Sequence, residues 1–82
     1  MALEDKIRKK VVAIVAATFK VDEASLTPET NLDEELGATS LNYVSLQVDM
    51  EEEFEVMVPF NELRADPTVG GITQLIIKLR KG

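Results

Sequence analysis

Three stretches of this chain repeat apolar residues at the spacing of an α-helix, and none alternates them as a strand does. Leu3, Ile7, Val11, Ile14 and Val15 form the first stripe. A helix puts residues three and four apart on one face, so this spacing predicts a helix over residues 3–19. Leu41, Val44, Met50 and Phe54, with Leu46 and Val48 beside them, form the second stripe, over residues 39–54. Val69, Ile72, Leu75, Ile76 and Leu79 form the third. A chain of 82 residues has room for one modest core, and with no Trp and 5% aromatics that core is aliphatic. The expected fold class is all-α: a small four-helix bundle of three main helices plus one short helix, with a long loop between the first and second helices. Residues 1–82 are expected to form a single domain.

The punctuation between the stripes sets their ends. Glu4 and Asp5 suit the positive end of the first helix dipole. Residues 21–38 form the long connection, with turn chemistry at Thr27-Pro28 and Thr30-Asn31 and with Leu26, Leu32 and Leu36 spaced as anchors. Residues 33–36 predict one helical turn that ends at Gly37. Thr39 is a competent N-cap for the second helix. Pro59 disfavours helix at Val58, residues 61–65 predict one short turn, and Asp66-Pro67 reads as the N-cap and first position of the last helix. Gly70-Gly71 costs that helix roughly 1 kcal/mol per glycine, so close packing against another helix is the expected reason for the pair.

Composition then removes most kinds of chemistry. The sequence holds no His and no Cys, which excludes disulfides, thiolate metal sites, catalytic thiols and His-based triads. Fifteen acidic residues against nine basic ones give a formal charge of −6, the wrong sign for neutralising nucleic-acid phosphates. No apolar run nears the ~20 residues that span a bilayer, and the start of the chain lacks the apolar core of a signal peptide. A cytoplasmic monomer without membrane insertion is expected. Ser25, Ser40 and Ser45 have no Lys close by in sequence, Glu51-Glu52-Glu53 is a run rather than a spaced acid–base pair, and no calcium or phosphate loop is present. Neither catalytic nor metal-binding residues are expected. Residues 21–63 contain no Lys or Arg and twelve of the fifteen acids. Such a block reads either as a solvated surface or as a docking face for a basic partner.

One place invites more. Leu36-Gly37-Ala38-Thr39-Ser40-Leu41 sets a serine in the first turn of a helix, after a long loop and a glycine turn. An anion attached to the Ser40 hydroxyl would meet unpaired N–H groups and the positive end of the dipole. Read from these residues alone, Thr39 or Ser40 serving only as a cap accounts for the pattern as well.

The stretch from Leu36 through Leu46, running on to Glu51-Glu52-Glu53-Phe54, resembles the acyl carrier protein family. That family's motif reads Leu-Gly-x-Asp-Ser-Leu and is followed by a helix closing in a Leu-Glu-Glu-Glu-Phe-like run. The likeness extends over nearly the whole chain. It implies that Ser40 carries 4′-phosphopantetheine, transferred from coenzyme A by a separate phosphopantetheinyl transferase. The thiol of that arm would hold acyl intermediates as thioesters for fatty-acid, polyketide or related specialised biosynthesis. It also implies that the second helix docks acyl-transferring or condensing enzymes with basic patches, through Thr39, Leu41, Asn42, Tyr43, Gln47, Glu51 and Glu52. The chain departs from the motif where Thr39, Asn42 and Ser45 replace usual carboxylates, which points to a dedicated pathway rather than bulk fatty-acid synthesis. An aminoacyl or peptidyl carrier, and an unmodified acidic adaptor that only docks to basic partners, are the alternatives.

Overall fold

Five helices and one 3₁₀ turn account for most of the chain in a computed structural model that describes residues 3–81. Met1, Ala2 and Gly82, the ends of the expected domain, lie outside the described residues. Helix α1 (Leu3–Phe19) forms where the first stripe predicts it and buries Ile7, Val11, Val15 and Ala16, while Leu3 stays exposed. The 3₁₀ turn at Glu23–Ser25 opens the long connection, within which α2 (Leu32–Leu36) forms one residue earlier than expected. Helix α3 (Ser40–Phe54) and the short α4 (Phe60–Ala65) follow, and α5 (Val69–Lys81) closes the bundle. Helix α1 packs against both α3 and α5, and α4 joins α3 to α5. The architecture is the expected all-α bundle, with no strand among the described residues.

The buried face of α3 differs from the expected one. It is Tyr43, Leu46, Met50 and Phe54 that lie in the core, whereas Leu41 is 78%, Val44 45% and Val48 46% exposed. Two stripes compete on this helix. The one through Leu41, Val44 and Val48 runs into Glu51 and Glu55 a turn later, while the one through Tyr43 stays apolar to Phe54. The continuous stripe is buried.

The start of α5 also differs. The helix begins at Val69, not at Pro67, and its cap is the Thr68 hydroxyl, which accepts the Gly71 N–H at 2.9 Å. Asp66 is one step removed, accepting the Thr68 O–H at 3.1 Å. Pro67 is withheld from the helix because its carbonyl accepts the Leu32 N–H at 2.7 Å, part of a short bridge between Asn31 and Thr68. The long connection in turn satisfies the first amides of α5: Val69 N–H donates to the Thr30 carbonyl and Gly70 N–H to that of Pro28. This seam explains the glycine pair. A Cβ on Gly70 would stand 3.0 Å from the Pro28 carbonyl oxygen, and one on Gly71 would overlap the Asp66 carboxyl. The close approach is therefore to the loop and the α4–α5 joint, not to another helix. So pinned, the connection fixes α2 and delivers Gly37 to the head of α3.

Candidate functional site

Gly37 ends α2 in the left-handed conformation, φ 62° and ψ 39°, and the Ala38 N–H donates back to the Leu32 carbonyl. That reversal sends the chain straight into α3. Thr39 caps it with a reciprocal pair: its hydroxyl accepts the Asn42 N–H at 3.3 Å, and its own N–H donates to Asn42 Oδ1 at 2.9 Å. Ser40 is consequently the first helical residue, and it is exposed in the opening turn of α3.

Beside it stands Arg64 of α4, whose Nη1 donates to Ser40 Oγ at 3.4 Å. The guanidinium lies over the Tyr43 ring, 4.8 Å from its centroid, and 5.8 Å from that of Phe60. The Tyr43 hydroxyl in turn donates to Asp33 Oδ1 at 2.6 Å. Burial, first, and then the Asp33 carboxylate raise the Tyr43 pKa well above the ordinary tyrosine value, while Arg64 works weakly against them. Asp33, Tyr43, Arg64 and Ser40 thus form one chain of contacts across α2, α3 and α4.

The residues expected to meet partners sort into four groups. Leu41 and Glu52 are exposed on the outer side of α3. Thr39 and Asn42 are engaged in the cap, and Gln47 and Glu51 are half-buried ties: Gln47 Nε2 donates to the Val58 carbonyl at 2.7 Å and Glu51 Oε2 accepts the Val58 N–H at 2.8 Å. Tyr43 requires a correction. It is fully buried, so it supports Arg64 from beneath and does not offer its ring to a partner. The sequence reading assigned Val44 and Val48 to the core and gave no role to Met57, which is 82% exposed. Nor does the sequence reading give Arg64 a role. The available signal was position: Arg64 is the first basic residue after the acidic block and sits on the short helix behind Pro59.

A family model described as the phosphopantetheine attachment site matches residues 9–76. The chain belongs to that family. It is 41% identical over 78 residues to an acyl carrier protein of Thermotoga maritima, covering 95% of this chain and 96% of that one. An acyl carrier protein of Syntrophobacter fumaroxidans is 38% identical over 69 residues, 84% of this chain and 85% of its own. As a member of the family the chain is a carrier, not an enzyme, and its covalent group is 4′-phosphopantetheine. The residues around Ser40 fit such a group. The hydroxyl is exposed, the space over Gly37 is open to 4 Å, and a guanidinium faces the oxygen. No helix among the described residues is long and apolar enough to cross a membrane.

Proposed function

We propose that Ser40 is the attachment point of the phosphopantetheine arm, and that the arm holds acyl intermediates as thioesters for a dedicated biosynthetic pathway. The observation that carries this reading is the placement of Ser40: an exposed hydroxyl on the first residue of α3, directly behind the Gly37 reversal. Attachment forms a phosphodiester at Ser40 Oγ as the pyrophosphate bond of coenzyme A breaks. The hydroxyl proton is lost to the phosphopantetheinyl transferase, and the adenosine bisphosphate leaves. The opening turn of α3 and Arg64 then stabilise the single negative charge. Sulfur, which this chain lacks in any thiol of its own, comes with the arm and supplies the thioester chemistry.

Partners meet the outer side of α3. Leu41, Val44 and Val48 expose apolar surface on that helix, Met57 does so in the loop that follows it, and Asp49 and Glu52 are exposed acids on the same helix. That mixture suits acyl-transferring and condensing enzymes with basic docking patches. The missing carboxylates at Thr39, Asn42 and Ser45, and Arg64 next to Ser40, make the head of α3 less acidic than its tail. A partner for this chain therefore needs less positive charge beside the arm than farther along the helix, which favours specialised over bulk fatty-acid synthesis. We also place the chain in the cytoplasm as a monomer. Incubation with coenzyme A and a broad-specificity phosphopantetheinyl transferase tests the attachment. Intact mass is expected to rise by one phosphopantetheine for the natural chain and not for Ser40→Ala; a gain retained by Ser40→Ala overturns the assignment.

A further inference from the structure

We propose that Arg64 is a phosphate clamp: its guanidinium binds the phosphodiester of the arm and fixes the direction in which the arm leaves Ser40. The proposal rests on Ser40 being the attachment point. Its evidence is separate, namely the position of an arginine on a different helix.

In sequence Arg64 lies 24 residues from Ser40, yet its Nη1 reaches Ser40 Oγ at 3.4 Å. A phosphorus bonded to that oxygen carries its two free oxygens into the same space, within reach of the guanidinium fork. An arginine offers five N–H donors in a fixed plane and pairs with phosphate through two of them at once. The plane here is held in advance. It lies over Tyr43, which is fully buried and tied by its hydroxyl to Asp33 at 2.6 Å, and it is flanked by Phe60. A side chain already held by stacking loses less freedom on binding than one waving in solvent.

Charge gives the clamp its purpose. Asp33, Glu34 and Glu35 of α2 are exposed just before Gly37, in a chain whose formal charge is −6. A phosphodiester added to Ser40 brings one more negative charge beside that cluster. With Arg64 in place, the new charge gains a partner; without it, like charges repel. An arginine that only packed on Tyr43 would stabilise the bare and the loaded chain alike. A clamp couples to the arm, and coupling is what a double-mutant cycle isolates.

The experiment measures melting temperatures of the bare and loaded forms of the natural chain, Arg64→Gln and Arg64→Lys at low salt, with loading at Ser40 confirmed by mass. Loading is expected to raise the melting temperature of the natural chain by up to about 4 °C, the shift that an exposed ion pair produces in a domain this small. The rise should be absent or reversed in Arg64→Gln and intermediate in Arg64→Lys, which keeps the charge but not the fork. Equal rises in all three, with loading confirmed, overturn the clamp alone. No mass gain at Ser40 overturns the clamp and the attachment reading together. Should Arg64→Gln fail to fold, ³¹P NMR of the loaded natural chain and the loaded Arg64→Lys variant decides. A phosphodiester resonance that differs between the two, by less in 1 M salt, supports the clamp; the same resonance in both overturns it.

Discussion

Tyr43 is the residue on which the site is stacked, and its single hydroxyl links two kinds of behaviour. The phenol is buried and donates to a carboxylate, so folding favours its neutral form. The unfolded chain releases the same proton near pH 10. The contribution of Tyr43 to stability is therefore complete below pH 10 and declines as pH rises beyond it, because only the unfolded state gains by ionising there. The sequence has one tyrosine and no tryptophan, so absorbance near 295 nm follows this group alone. The native protein is expected to show no tyrosinate until well above pH 10; a normal titration would mean that Tyr43 reaches solvent. At this scale the sequence was only partly legible. Ser40 and Thr39 could be read from capping chemistry and the Gly37 turn, which act within a few residues. Tyr43 could not, because a tyrosine at that position suits a partner face as well as a core, and the decision comes from Asp33 and Arg64 on other helices.

Helix ends show how local rules and tertiary contacts divide the work. Gly37 and Glu55 both adopt the left-handed conformation after a helix, at φ 62° and φ 55°. Only the glycine does so without steric cost. Nothing stands within 4 Å of where a Gly37 Cβ would lie, so Gly37→Ala is expected to cost about 1 kcal/mol from backbone strain alone. Glu55→Gly relieves the same strain and is expected to stabilise by up to about 1 kcal/mol, the gain being reduced by the freer unfolded chain. Urea unfolding of the two variants measures both, and the prediction is opposite signs. The existence and order of α1, α3 and α5 were legible because each carries a long stripe at helical spacing. The face of α3 was not, since two stripes overlap and only their continuation past Val48 separates them. The start of α5 was misread for a different reason: Asp66-Pro67 is good capping chemistry, but the Pro67 carbonyl is claimed by Leu32, thirty-five positions earlier in the chain.

Across the whole molecule the acids serve two ends. Glu51 holds Val58 in the loop behind α3, and Glu53 makes an exposed ion pair with Lys10 of α1 at 3.0 Å, so these two have partners within the chain. Asp49 and Glu52 face outward. Glu52→Lys is accordingly expected to slow association with a basic partner enzyme while leaving the unfolding midpoint within the range of ordinary surface changes. Glu51→Lys should instead lower stability by about 1 kcal/mol, because it removes the acceptor of the Val58 N–H. Association should also slow with salt, as the screening length falls from about 10 Å at 0.1 M to about 3 Å at 1 M; rates that ignore salt would mean that Leu41, Val44 and Met57 carry the docking unaided. All of this is organised around one hydroxyl. Trypsin leaves the question open, since residues 21–63 contain no Lys or Arg and Ser25, Ser40 and Ser45 stay on one fragment. Cleavage after glutamate separates Ser25 from the other two, and fragmentation of the resulting peptide distinguishes Ser40 from Ser45. The arm's mass is expected on fragments that contain Ser40 and to be missing from those that contain only Ser45; its appearance on Ser45 or Ser25 would contradict the account.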